Sequence, residues 1–258
     1  SNASLARAFQ ERYNSGREVP LLELIDVATG LAFEDVMQRG ASERSSRLEE
    51  MTLRLALDSA ATGCAPIDLS DALLADISKV VDNRVSMPSH VEALCHVMPD
   101  GAGEVSLALA AAFHGRHRTL ARFADILPGF RSVRNESDDR GPIIAELVTM
   151  PFRRRSANVA IRPLSTKYEL IAGVGSSLPA DHSLTLDDLV VGIGPDERLY
   201  VRSLKFARYV HIVQNHMLNT VTTSRAAQFF DAICSPDVRA IGFPWTGLAM
   251  RLPFRPRV

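Results

Sequence analysis

Arg153-Arg154-Arg155 is the group of residues whose type and spacing most directly suggest chemistry. A planar guanidinium matches phosphate oxygens, so such a run suits a polyanion. It equally suits a solvated loop, because charged runs commonly keep loops wet. Arg251, Arg255 and Arg257 form a second basic group near the end of the chain. "HGRH" (His114 to His117) places two imidazoles three apart but offers no third ligand at a readable spacing, so no metal is expected. "GVGSS" and "GIGP" are rich in glycine but lack the lysine and the strand-to-helix setting of a phosphate loop, and read as turns. Asp187-Asp188 reads as a solvated pair preceding a strand, and no local signature announces an activated serine or cysteine.

These residues belong to a chain of 258 residues with formal net charge −1 and 46% hydrophobic content. That balance argues against coating nucleic acid by bulk electrostatics while leaving room for a local basic face. Cys64, Cys95 and Cys234 are odd in number and far apart, which points to a reducing, cytoplasmic compartment rather than a disulfide framework. No apolar run reaches the ~20 residues of a membrane span, and no signal peptide opens the chain. Ser1-Asn2-Ala3 (residues 1–3) reads as the scar of a cleaved expression tag and is set aside from fold reasoning.

The elements that must position these groups fall into a helical first third followed by short strands. Leu5 to Tyr13 has helical spacing, and Pro20 turns the next segment extended before it closes near Gly30. Ser42 to Ser59 carries Leu48, Met51 and Leu55 on one helical stripe, and Ser70 caps a second helix through Leu73, Leu74 and Ile77. "HVEALCHVM" and "EVSLALAAAF" predict two strands joined by a turn, and "RTLARFADIL" a helix. Residues 128–142 read as a flexible loop. "IIAELVTM", "NVAIRP", "YELIAGV" and "RYVHIVQ" read as extended. Leu189 to Val191 and Leu199 to Val201 form a hairpin around Gly192 to Glu197, whose residues supply positive and fixed φ. A last helix runs from Thr223 to Cys234 with Ala227, Phe229, Phe230 and Ile233 buried. The predicted fold class is α+β, with mostly antiparallel or mixed pairing and a carboxy-terminal helix.

A series of segments, in order, resembles the lantibiotic dehydratase family in its large amino-terminal glutamylation region. They are "FQERYNSGREVPLLELIDVATGL", "TLARFADIL", "RRSANVAIRP", "LTLDDLVVGIGPDERLYVRSLKFARYV", "HMLN" and "LPFRPRV". Arg255 stands where the family pattern has an apolar residue, and Val258 falls where that pattern continues into a further basic and aromatic stretch. The resemblance makes residues 4–258 part of a glutamylation domain. It implies esterification of Ser and Thr in a ribosomally made precursor peptide with glutamate from glutamyl-tRNA, followed by elimination of glutamate in a separate domain to give dehydroamino acids. Without the upstream basic segment and the elimination domain, the isolated piece is expected to be inactive.

The resemblance also gives the residues their roles. Transesterification develops negative charge on the attacked carbonyl oxygen, which a fixed guanidinium stabilises. Arg202 and Arg162 are the candidates, with Arg122 a weaker third and Asp26 a residue that orients an arginine or a substrate hydroxyl. Ordinary structural ion pairs, and an Asx turn at Asp26, are the plainer alternatives. Arg153, Arg154 and Arg155 fit phosphates of the tRNA acceptor stem, and Asn158 either a ligand or its own loop. Glutamyl-tRNA is the expected co-substrate, with no bound cofactor. The expected partners are the precursor peptide, glutamyl-tRNA, and a lanthionine cyclase or other maturation enzyme, with a homodimer also open. The alternative from a different class is a non-catalytic peptide-binding or assembly module that pairs an exposed strand with an extended precursor.

Overall fold

The computed structural model describes residues 2–63, 66–80, 91–99, 104–114, 118–127, 141–152, 154–160, 164–218 and 223–234, with the side chains at 34, 37–48, 80, 113–114, 154 and 158–159 left undescribed. Its elements are α1 (Asn2–Tyr13), β1 (Val19–Pro20), α2 (Leu21–Leu24), α3 (Phe33–Ala61), α4 (Asp71–Val80), β2 (Val91–Pro99), β3 (Val105–His114), β4 (Ile143–Thr149), β5 (Tyr168–Ala172), β6 (Ser183–Thr185), β7 (Leu189–Ile193), β8 (Leu199–Ser203), β9 (Arg208–Val213) and α5 (Arg225–Cys234). Helices and mixed sheet make it α+β, with a late helix as expected.

Seven strands form one sheet in the order β1-β7-β8-β9-β4-β5-β6. The β1-β7-β8-β9 side is antiparallel, built on the hairpin that pairs Val191 with Val201. From β9 onward the pairing is parallel, with Ala145 opposite Ile212 and Leu147 opposite Leu170. Parallel neighbours cannot be joined by a tight turn, so this half needs connections long enough to carry other residues.

The core cluster joins Leu5, Phe9 and Tyr13 of α1 and Phe229, Phe230 and Ile233 of α5 to Ile143, Leu147, Leu170, Val191 and Ile212 of the sheet. Phe33 meets Phe229 edge to face at 5.6 Å, and Phe229 meets Phe230 at 5.9 Å. Asn2 enters this core too. Its side chain accepts from Leu199 N at 2.7 Å and donates to Ile233 O at 2.9 Å and Leu199 O at 3.2 Å, tying α1 to β8 and α5.

The chain divides into two compact units. Of the described elements, the first unit holds α1, β1, α2, the seven-stranded sheet and α5. The second holds most of α3, α4 and most of the two-stranded β2-β3 ribbon. Among the described side chains of α3 in this unit, the buried positions are Thr52, Ala56 and Ser59, with Met51 and Leu55 flanking them half-buried. The expected stripe is thus shifted by one residue toward smaller side chains. Ser70 Oγ accepts from Leu73 N at 3.4 Å at the start of α4, as its sequence predicts.

Three expectations are corrected. Residues 118–127 form turns around a single 3-10 turn at Ala121–Phe123 and not a helix. Thr119 N and Oγ1 donate to Glu92 Oε2, and the buried residues of the segment are Thr119, Ala121 and Ala124, the two alanines three apart as suits a 3-10 turn. Asn158 and Val159, which open the expected extended piece "NVAIRP", instead end a 3-10 turn over Arg154–Val159, and residues 161–163 of that piece lie outside the described residues. In the hairpin, Glu197 carries the positive φ (58°), whereas Gly192 is demanded by space. A Cβ at Gly192 would lie 2.5 Å from the Tyr200 hydroxyl. The loop predicted at 128–142 falls largely outside the described residues.

Candidate functional site

The parallel pairing of β4 with β5 forces a long connection between Thr149 and Tyr168. Residues 147–168 contain four arginines and one lysine and no Asp or Glu, in a chain whose total charge is −1. At its start Thr149 Oγ1 lies 3.3 Å from Ser224 Oγ, beside an α5 first turn that carries no acidic residue. At its end Ser165 donates to Glu146 Oε2 through both N (2.9 Å) and Oγ (3.0 Å), and Asn215 Nδ2 donates to Ser165 Oγ at 2.7 Å. Two fixed ends therefore present the basic segment between them. Met150 and Phe152 are exposed on it, and so is Arg155. Among the described residues Arg155 has no ion-pair partner. Arg154 and Asn158 lie in the 3-10 turn, their side chains undescribed, while Arg153 and Arg162 lie outside the described residues.

The next connection, β5 to β6, is organised differently. Glu169, fully buried, is the register partner of Glu146 across the parallel pair. It accepts from Ser177 N (3.0 Å), Leu178 N (3.0 Å), Ser177 Oγ (2.9 Å), Ser183 Oγ (3.1 Å) and Ser176 Oγ. Burial pushes its carboxyl upward, but the donors from Ser176, Leu178, Ser177 and Ser183 outweigh it and hold the group below the usual carboxylate range. "GVGSS" is thus a turn gathered around a carboxylate.

Arg202, on β8, forms a bidentate pair with Glu18: Nε donates to Oε1 at 2.8 Å and Nη2 to Oε2. The Tyr200 hydroxyl donates to the same Oε1 at 3.0 Å, and Tyr200 meets Tyr209 edge to face at 5.1 Å. The hydrogen bond from Arg202 is the main cause that lowers Glu18 below its ordinary value. Both partners are about 30% exposed, so the pair lines the surface. Nη1 of Arg202 has no hydrogen-bond partner among the described residues.

Asp26 Oδ1 accepts from Ala28 N (2.9 Å), Thr29 N (2.8 Å) and Thr29 Oγ1 (2.8 Å), the Asx-type turn that its sequence offered as the plainer reading. Hydrogen bonds from Thr29 and Ala28 hold its carboxyl low. Arg225 donates to Ile25 O, and Arg12 to Thr29 O, from either side of that loop. Arg122 is exposed with its guanidinium 4.5 Å from the Phe123 ring centre. Asp26, Arg122 and Arg202 are thus each held by separate local partners. Asp188 closes a capping box with Thr185 in front of β7. Burial pushes the Cys234 thiol up to about 12, so it is no nucleophile at neutral pH. Among the described residues no group of three or more His, Cys, Asp or Glu gathers to hold a metal.

Sequence reasoning missed Glu18, Glu146, Glu169 and Asn215. For Glu146 and Glu169 a signal existed: each is a lone acid inside an apolar strand, "IIAELVT" and "YELIA". A buried carboxylate must find donors, so each marks a loop folded over it.

A family model described as "Lantibiotic dehydratase, N terminus" matches residues 2–258. The subtilin biosynthesis protein SpaB of Bacillus subtilis is 23% identical over 270 residues, covering 97% of this chain and 26% of that protein. The crystal structure of the tRNA-dependent lantibiotic dehydratase MibB from Microbispora sp. 107891 superposes with TM-score 0.72 at 23% identity, covering 97% of this chain and 26% of MibB. The glutamylation domain TbtB from thiomuracin biosynthesis superposes with TM-score 0.62 at 21% identity, covering 93% of this chain and 32% of TbtB. This chain thus spans about a quarter of the length of SpaB and MibB and shares the fold of MibB and TbtB. It belongs to the lantibiotic dehydratase family and corresponds to that family's amino-terminal region.

Proposed function

We propose that this chain contributes the RNA-facing part of a glutamyl-tRNA-dependent enzyme that esterifies Ser and Thr hydroxyls of a ribosomally made precursor peptide in the cytoplasm. The observation that carries the reading is the acid-free, five-cation β4-β5 connection, anchored at both ends and exposed at Arg155, in a fold shared with a glutamylation domain. Arg153 to Arg155 hold phosphates of the glutamyl-tRNA. Such contacts position the RNA without reading its sequence.

The chemical step needs a donor for the oxyanion formed when a peptide hydroxyl attacks the glutamyl ester. Arg202 is fixed by Glu18 and keeps Nη1 for that role, with Arg162 as the second guanidinium. Collapse of the tetrahedral intermediate expels the tRNA ribose hydroxyl and leaves the glutamyl ester on the peptide. Elimination of glutamate then belongs to a separate domain. The test is mass spectrometry of glutamyl adducts on precursor peptide, with the full-length enzyme carrying Arg202→Ala and Arg162→Ala together. Loss of adducts is expected, and normal glutamylation removes both residues from the mechanism.

A second reading, a peptide-binding or assembly module, is favoured by the β2-β3 ribbon. That two-stranded sheet exposes Leu94, Val97, Met98, Val105, Leu107 and Leu109. A ribbon of this kind has edges on which an extended peptide can add a strand. If precursor peptide is not retained by the chain in a pull-down, the second reading falls.

A further inference from the structure

Where β4 ends, the chain places two large apolar side chains in solvent on either side of a proline: Met150 is 63% exposed and Phe152 is 73% exposed. Pro151 fixes its own φ and biases Met150 toward an extended conformation. Immediately after them come Arg153, Arg154 and Arg155, the start of the five-cation stretch that lacks any acid. The whole segment springs from a buried strand end, Thr149, pinned to Ser224.

We propose that Phe152, supported by Met150, is a stacking platform for an unpaired base at the single-stranded 3′ end of the RNA whose phosphates the adjoining arginines hold. The inference rests on the RNA-binding reading above and deepens it. Single-stranded nucleic acid is bound by this combination, a cationic track for the backbone and an exposed aromatic face for a base. The charge pattern decides the occupant. A protein partner would be expected to meet mixed charge around an apolar anchor, and a membrane surface would call for an amphipathic helix, whereas this connection carries cations alone and its described helical part is one 3-10 turn.

The test uses tRNA-Glu carrying 2-aminopurine in turn at each unpaired 3′ position, titrated with this chain at several salt concentrations. At one position the fluorescence should fall on binding. Phe152→Ala should abolish that quench and weaken binding on the order of tenfold with an unchanged salt slope, while Phe152→Trp restores both. Met150→Ala should weaken binding less. Because Phe152 is exposed, the melting temperature of Phe152→Ala should equal that of the unsubstituted chain.

A Phe152→Ala chain that binds tRNA with the same affinity and an intact quench overturns the platform while leaving the phosphate contacts standing, provided Arg153→Ala, Arg154→Ala and Arg155→Ala together still reduce the slope. No binding of tRNA by the unsubstituted chain removes both readings. A lowered melting temperature, which would mean Phe152 packs against protein, overturns the platform. So does Phe152-dependent binding to vesicles of phosphatidylserine and phosphatidylcholine.

Discussion

Two consecutive connections of the parallel half-sheet start from the same device and end differently. Glu146 and Glu169 are buried register partners on neighbouring strands, and each accepts hydrogen bonds from a loop that follows its strand. Glu169 gathers donors from Ser176, Ser177, Leu178 and Ser183, so the β5-β6 loop is closed upon it. Glu146 takes Ser165 at the far end of its connection, and between Thr149 and Ser165 the chain carries cations without nearby acids in sequence. A loop whose polar groups satisfy one another is scaffold. One that leaves guanidinium and aromatic groups toward solvent is equipped to meet a ligand.

Glu169→Ala should break this comparison most severely. It strips two backbone N–H groups and three hydroxyls of their acceptor, and removing one partner of a buried charged network costs about 3–5 kcal/mol. Denaturant unfolding checks it. Glu169 is also held below its ordinary value, so its stabilisation is present above the unfolded glutamate value of about 4.3 and is lost as pH falls through the lower folded value. Glu169→Gln should flatten that acid limb in unfolding experiments run against pH.

Glu146→Gln should be milder, about 1–3 kcal/mol, since Ser165 N and Oγ lose a charged acceptor but keep an amide oxygen. It should also weaken RNA binding, which Glu169→Gln should not, and filter binding of both variants at one salt concentration separates the two loops. Smaller still is the Arg202 pair. Partly exposed, it should contribute about 1 kcal/mol, with Arg202→Ala, Glu18→Gln and the double variant destabilising alike in a double-mutant cycle. A catalytic Arg202 adds a loss of glutamylation that Glu18→Gln reproduces only through misplacement.

Much of the scaffold was legible because its signals are local. Helical spacing in Leu5 to Tyr13, the Ser70 cap, the apolar runs around Gly192 to Glu197, and Phe229, Phe230 and Ile233 each name their element without help from distant chain. What escaped depended on distant partners. Asn2 stands in a stretch that reads as a tag scar, yet it bonds Leu199 and Ile233, some two hundred positions away. The segment 118–127 has helical composition, but its register is fixed by Glu92 and His216. For the candidate site, the arginine run was visible as residues, whereas Glu18 as the partner of Arg202 and Ser165 as the anchor of the basic connection are facts of the sheet.

The most direct test of the account is a salt titration of this chain's binding to glutamyl-tRNA, beside uncharged tRNA and a random RNA of equal length. Glutamyl-tRNA is expected to bind more tightly, with a slope of log affinity against log salt that shrinks by about two to three when Arg153, Arg154 and Arg155 are replaced by alanine. Equal and negligible binding of all three RNAs, or a slope untouched by the triple substitution, would contradict the assignment of the tRNA surface to the β4-β5 connection.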